Sequence, residues 1–125
     1  MKTREQERMQ QSLAAIRRRE GATDAKEYGR ACLKFPVLVR TAGLCQAVAF
    51  YQSRKRGPDH AYNRYVRDLT EQLRTAGHVR TNDIVNELTE MDVARYILVT
   101  REALAIANWM RRFAQSELGV DDTEE

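Results

Sequence analysis

The sequence predicts an all-helical (all-α) fold. Glycine and proline are sparse, at six and two residues in a chain of 125, and they separate long segments in which apolar residues recur at spacings of three and four. No segment alternates apolar and polar residues as a half-buried strand does. A chain of this length buries a sizeable core as one domain. We therefore expect residues 1–125 to form a single helical domain.

The first two helices are predicted at about residues 3–20 and 23–34. A thin apolar stripe runs along the first, and Gly21 is placed to terminate it. Asp24 stands where a carboxylate can cap the start of the second. The third helix is then expected to open at the proline that follows.

The third predicted helix, residues 36–53, is apolar nearly all round, which is typical of a membrane span or of the centre of a bundle. Arg40 and Gln46 near its middle would be costly in lipid, and the neighbouring helices are amphipathic. We therefore place this helix at the centre of the domain. It is expected to end at the surface in the basic run Arg54-Lys55-Arg56.

Further helices are predicted at about residues 58–76 and 82–89, and the next is expected to restart near Asp92, where Thr89 and Asp92 have capping-box spacing. Residues 92–118 fit either one long helix or a short helix followed by a second one. The acidic tail, residues 119–125, is expected to fray.

The charged residues are divided unevenly along the chain. The net charge is only +3, but the first 60 residues carry the excess of basic side chains and the rest carry the excess of acidic ones. Such a split suggests a basic surface for a polyanion, or head-to-tail contact between copies. Most of the basic residues are Arg, whose planar fork matches phosphate; a genome rich in G and C would produce the same bias.

The two cysteines and the N-terminus predict a cytoplasmic protein. Cys32 and Cys45 lack CxxC spacing and stand among apolar residues, as reduced, buried thiols do. The first residues lack the apolar run of a signal peptide. We therefore expect no disulfide and no membrane association.

Enzyme signatures are missing from the sequence. It contains no HExxH, GxSxG, Walker or GxGxxG motif. His60 and His78 are expected at helix edges, as surface or capping residues, and the acidic tail is too mobile to hold catalytic geometry. We predict a protein that is not an enzyme and that needs no cofactor or metal.

Basic clusters are the remaining candidates for function. Three consecutive helical positions fan over about 200°, so a single cluster is more often a solvated face than a site. Clusters that converge on one surface would form a groove that binds a phosphate backbone whatever the base sequence. The candidate residues are Arg17, Arg18, Lys34, Arg40, Arg54, Lys55, Arg56, Arg111 and Arg112.

Two long runs resemble one known family. EYGRACLKFPVLVRTAGLCQAVAF (27–50) and ARYILVTREALAIANWMRRFAQSEL (94–118) resemble patterns of the small helical subunit of the type III-B CRISPR RNA-guided effector, the Cmr complex. The order and spacing match over about residues 9–118. The family often has Asn where this chain has Ala42, so this chain offers no polar side chain at that position, whereas the core pattern is intact.

This resemblance implies a compact bundle of about six helices without catalytic activity. Family members stack in several copies beside the backbone subunits and help to form the channel for guide and target RNA, in antiviral defence. The basic positions of the family pattern fall on Lys34 and on Arg111-Arg112. Two other functions stay open: a helical interaction scaffold that does not touch RNA, and a helix-turn-helix DNA-binding module, although its second helix would be net acidic.

Overall fold

The computed structural model describes residues 1–53, Gly57 and residues 59–121. Over those ranges the chain forms six helices and no strand, so the all-helical prediction is confirmed. The helices are α1 (Arg4–Arg17), α2 (Ala25–Ala42), α3 (Leu44–Gln52), α4 (Ala61–Thr75), α5 (Ile84–Glu90) and α6 (Val93–Glu117).

The longest helix, α6, forms the centre of the bundle. It packs against α1, α2 and α4, while α3 lies against α2, α4 and α5. The face of α6 that it buries is rich in small side chains, which lets the neighbouring helices approach closely. Its buried apolar residues are Val99, Ala103, Ile106, Ala107, Met110 and Ala114.

Aromatic side chains fill the space where α2, α3 and α4 meet. The ring centroid of Phe35 lies 5.1 Å from that of Tyr51 and 5.0 Å from that of Tyr65, and all three side chains are buried. Such tilted pairs contribute about 0.5–1.5 kcal/mol beyond the burial of their area. The Tyr51 hydroxyl also donates a hydrogen bond to the Ala31 carbonyl oxygen at 2.7 Å.

The long apolar segment breaks at Gly43, and the predicted break before Pro36 is wrong. α2 passes through Pro36 without ending. A proline removes one backbone donor and crowds the preceding turn. Two side chains donate to carbonyl groups of that turn: the Tyr51 hydroxyl, as described, and Arg111 Nη1, which lies 3.2 Å from the Leu33 oxygen. These tertiary contacts hold the turn before Pro36 against α3 and α6, on either side of Cys32, whose carbonyl loses its own donor at Pro36.

Gly43 adopts φ 91° and ψ 161°, a region that is open in practice only to glycine. α3 begins one residue later, and its Cys45 N–H donates to the Tyr96 hydroxyl of α6 at 2.9 Å. This bond satisfies one of the N–H groups that a helix start leaves without a partner. Val37 of α2 and Phe50 of α3 are 50% and 52% exposed, so this segment is not buried all round, as the prediction of one central helix required.

The predicted helix starts are partly confirmed. The Asp92 side chain accepts from Arg95 N at 2.8 Å, and α6 then runs unbroken to Glu117, so residues 92–118 form one long helix. Asp24 holds the N-cap position of α2 but makes no capping hydrogen bond. Its carboxylate accepts from Arg19 Nη2 at 2.5 Å instead, because an arginine competes for the oxygen.

One buried carboxylate joins α1 to α6. Glu102 is 6% exposed and accepts from Arg4 Nη2 at 2.5 Å and from Arg8 Nε and Nη2 at 2.8 Å each. These charged donors lower the pKa of Glu102 from 4.5 to about 2. The contact fixes the first two turns of α1 on the middle of α6.

The chain continues past α6 into a docked segment. Val120 is 1% exposed and belongs to the core, so the fraying predicted from residue 119 does not hold at this position. Residues 122–125 lie outside the described residues. Over the ranges described, none of the helices is long and apolar enough to cross a membrane.

Candidate nucleic-acid interface

A solvent-open cleft of about 530 Å³ runs between α2 and α6. Its lining residues are Arg40 from α2 and Asn108, Arg111, Arg112 and Gln115 from α6. The α6 positions 108, 111, 112 and 115 are related by steps of three, four and seven, so one face of the helix presents them together. No acidic side chain is among these lining residues. The cleft therefore combines positive charge with amide groups.

Two contacts position the guanidinium groups of the cleft. Arg111 crosses to α2, where its Nη1 donates to the Leu33 carbonyl. Arg40 Nη2 lies 3.4 Å from Asn108 Oδ1, which leaves the other donors of Arg40 and the NH₂ group of Asn108 on the solvent side. The two helices thus present their polar groups to a shared space.

The carboxylate partners of the arginines separate them into two sets. Arg17 Nε lies 3.0 Å from Glu117 Oε1, and Arg18 Nη2 lies 3.6 Å from Asp68 Oδ1. In the part of the chain that the structure describes, no carboxylate lies within 4.0 Å of Arg40 or Arg112. A phosphate at Arg17 or Arg18 would have to compete with a carboxylate, whereas at Arg40 and Arg112 no carboxylate of the described residues would compete with it.

Of the nine predicted site residues, the structure describes six, and three of these six line the cleft. Arg40, Arg111 and Arg112 share the cleft. Lys34 is exposed on α2, next in sequence to Leu33, but does not line the cleft. Arg17 and Arg18 lie at the end of α1. The run Arg54-Lys55-Arg56 lies outside the described residues.

Asn108 and Gln115 are not among the residues predicted from the sequence, because that prediction rests on charged side chains alone. Arg101 is exposed and lies seven positions before Asn108 on the same face of α6, although it does not line the cleft. The signal that could have found all three is the i, i+7 series 101, 108 and 115. That series indicates one face only if residues 92–118 are read as a single helix.

An aromatic pair borders the cleft on α6. The rings of Trp109 and Phe113 are stacked, with centroids 5.5 Å apart and planes inclined by 24°. Both side chains are half-buried, and Phe113 packs against the core. Arg112 lies three positions after Trp109 and is exposed. Basic and aromatic groups therefore lie side by side.

The reactive side chains are engaged in structural contacts. His60 caps α4 by accepting from Tyr62 N at 3.1 Å, in agreement with the prediction of a capping histidine, and His78 Nε2 lies 3.7 Å from Glu102. Burial raises the pKa of the Cys32 thiol, which lowers its reactivity. Among the described residues, no group of three or more His, Cys, Asp or Glu could hold a metal ion.

Comparison with known proteins finds matches over nearly the whole chain. The sequence profile of the family described as CRISPR-associated protein (Cas_Cmr5) matches residues 4–117. The CRISPR system Cmr subunit Cmr5 of Thermus thermophilus is 36% identical over 116 residues, which are 93% of this chain and 96% of that protein.

A solved structure shows the same fold. The crystal structure of a CRISPR-associated Cmr5 family protein from Thermus thermophilus superposes with a TM-score of 0.83 at 35% sequence identity, and the match covers 94% of this chain and 99% of that one. Sequence and fold thus lead to the same assignment. The chain belongs to the Cmr5 family, the small subunit of the type III-B CRISPR effector, the Cmr complex.

Proposed function

We propose that this chain is a non-catalytic subunit of the Cmr ribonucleoprotein that positions the guide RNA and target RNA in the cytoplasm, in antiviral defence. The cleft between α2 and α6 is the contact surface. The observation that carries the proposal is the charge of Arg40 and Arg112, which no described carboxylate compensates, beside the amides of Asn108 and Gln115.

The cleft suits a sugar-phosphate chain better than a particular base sequence. Guanidinium groups bind phosphate oxygens and fix the register of a strand without reading bases. In a complex programmed by its guide, base pairing carries the sequence information, so contacts of this kind are sufficient. A few such contacts in one copy imply weak, salt-sensitive binding, which several linked copies would strengthen through effective concentration.

The partners we propose are the backbone subunits of the Cmr complex, other copies of this chain, and the two RNA strands. The uneven charge of the two halves is a poor basis for contact between copies. Arg4 and Arg8 pair with Glu102, Arg17 with Glu117, and Arg18 with Asp68, all within one molecule. Because these four arginines already pair with carboxylates of the second half, a charge-based contact between copies would rest on the remaining charged groups. Swapping charges between the halves and measuring assembly at low salt tests this. Reduced assembly would support a charge-based contact between copies.

The test is a reconstituted Cmr complex that carries Arg40→Gln and Arg112→Gln together. We expect assembly to stay intact while the affinity for labelled target RNA falls about tenfold or more, since two charge-assisted hydrogen-bonding groups are removed. The matched control is Arg74→Gln, which changes an exposed arginine of α4 that pairs with Glu71. Equal RNA retention in the double variant and the control would contradict the proposal.

A scaffold role without RNA contact is favoured by one feature. The first half of α6 exposes Val93, Ile97 and Leu98, 75%, 46% and 57% of their surface, and such exposed apolar residues suit contact with protein. In this case Leu98→Gln would weaken assembly of the complex, while the cleft variants would leave RNA binding unchanged.

A helix-turn-helix role finds less support. α5 has only seven residues, includes Glu87 and Glu90, and contains no basic side chain. The Glu87 carboxylate accepts from Arg80 N and Thr81 N, so it secures the preceding loop. A helix of this charge would be repelled in a major groove.

A further inference from the structure

We infer that Trp109, supported by Phe113, forms a stacking platform for one unstacked base of the RNA strand whose phosphates lie in the cleft. The inference rests on the proposed function and adds to it a class of ligand, single-stranded RNA with an accessible base face. It follows from three features of the end of α6: how the aromatic pair is supported, which donor it presents, and where the neighbouring charge lies.

The first feature is the support of the indole ring. Phe113 packs against the core and stacks on Trp109 with planes only 24° apart. Among the described half-buried apolar side chains, Trp109 is not one of those that pack directly on the core. The core thus holds Phe113, and Phe113 in turn holds the indole close to the surface. A ring held in this way loses little freedom when a base stacks on it, which favours binding.

The second feature is the indole N–H. Buried or interfacial tryptophans normally find an acceptor for this group. Over the described ranges of the chain, Trp109 Nε1 donates no hydrogen bond. The group can therefore donate to a ribose hydroxyl or a phosphate oxygen when a nucleotide lies against the ring.

The third feature is the position of the charge. Arg112 follows Trp109 by three residues, so the two side chains are neighbours on the helix surface. Arg112 also lines the cleft with Asn108, and Asn108 directly precedes Trp109 in sequence. A strand whose phosphate is bound at Arg112 therefore places its adjacent base at the edge of the indole. Aromatic groups beside a basic groove bind single strands by this combination, with little preference for sequence.

The test uses the full chain, because Trp109 is its only tryptophan and its fluorescence reports on this one place. A labelled single-stranded RNA of mixed sequence is titrated at low salt, and anisotropy and tryptophan fluorescence are recorded together. We expect saturable quenching with the same midpoint as the anisotropy change. A blunt, fully paired RNA duplex should quench much less, because its bases are stacked on each other.

Variants separate stacking from charge. Trp109→Leu should weaken binding of the single strand by about fivefold or more, the effect of removing one base-aromatic stack, while Trp109→Phe should keep much of the affinity. Phe50→Leu is the matched control, since it removes an exposed aromatic ring of α3 that lies outside the cleft. Circular dichroism melting of each variant confirms that the fold is retained.

The other outcomes overturn the inference in distinguishable ways. Binding without quenching, together with unchanged affinity of Trp109→Leu, would refute the platform and leave the proposed function standing. Equal quenching by the duplex would show that no unstacked base is needed, and would refute it also. Normal RNA affinity of Trp109→Leu with weaker assembly of the Cmr complex would make the aromatic pair a protein contact. The proposed function fails as well if the unaltered chain does not bind RNA and the cleft variants do not reduce RNA binding by the reconstituted complex.

Discussion

Gly29 of α2 and Val120 of the C-terminal segment are in direct contact, and only a residue without a side chain fits at position 29. A Cβ atom built there would lie 2.8 Å from Val120 Cγ1 and 2.9 Å from Cγ2. Real Cβ atoms do not approach other carbons so closely. Gly29 thus forms the notch into which the chain folds back after α6.

Gly29→Ala is expected to destabilise the protein by about 1 kcal/mol, although alanine is intrinsically better in a helix by about the same amount. The reason is that Val120 must leave its site and lose about 1–2 kcal/mol of burial, and its neighbours lose contacts with it. Urea unfolding measures the change. In the double variant Gly29→Ala, Val120→Ala the added methyl group should cost nothing further, and additive losses would contradict the contact.

Glu102→Gln is expected to reduce the free energy of unfolding at pH 7 by about 1–3 kcal/mol, because Arg4 and Arg8 lose a buried ionic partner while keeping partial access to water. The folded pKa of Glu102 is lowered from 4.5 to about 2. Its stabilising effect is therefore complete above pH 4.5 and disappears as the pH falls from about 4.5 to 2.

The measurement is urea unfolding of the unaltered protein and of Glu102→Gln at several pH values between 2 and 7. The difference between the two should shrink toward acid pH. Glu7→Gln, which removes an exposed partner of Arg4, should show a small difference at every pH. A Glu102→Gln difference that stays constant down to pH 2 would exclude this carboxylate as the source of the effect.

Gly43→Ala is expected to cost about 1–3 kcal/mol, because φ 91° with ψ 161° is a strained conformation for any residue with a Cβ. Thermal or urea unfolding provides the value. Ala49→Gly on the exposed face of α3 is a control for helix propensity and should cost no more than about 1 kcal/mol. Unchanged stability of Gly43→Ala would mean that the chain can continue α2 into α3 as one helix.

Tyr96→Phe should destabilise the same junction by about 0.5–1.5 kcal/mol, since Cys45 N–H loses its acceptor at the start of α3. Hydrogen exchange at Cys45 offers a local readout and should become faster. Slow exchange that persists in the variant would show that another group satisfies this N–H.

The salt dependence of RNA binding should distinguish the two sets of arginines. If Arg40 and Arg112 each contact a phosphate, replacing both by Gln should flatten the plot of log affinity against log salt by about 0.7 per contact on a single strand. The matched control is the double variant Arg17→Gln, Arg18→Gln at the end of α1, where each arginine has a carboxylate partner. Equal flattening by both pairs would mean that pairing with a carboxylate does not decide which arginines bind RNA.

Local patterns predicted much of the fold. The helical periodicity and the sparse glycine and proline led to the all-helical fold class. The restart expected near Asp92 agrees with the start of α6, although Asp92 is itself the N-cap and Thr89, the other residue of the expected capping box, lies inside α5. Local patterns did not predict that α2 would pass through Pro36, because the donors that support that turn come from Tyr51 and Arg111, far along the chain. Nor did these patterns predict that the helix would break at Gly43.

For the candidate site, what the sequence predicts and what only tertiary packing decides are even easier to separate. By itself, the sequence determined which side chains carry charge, that they stand on helices, and which family pattern they fit. Only the tertiary structure decided that Arg40 contacts Asn108 and lines one cleft with Arg112 across two helices, and that Arg17 is paired with Glu117, 100 residues away. The physical reason is that periodicity and propensity act over one or two turns, whereas the neutralisation of a charge depends on whichever group packing brings within about 4 Å.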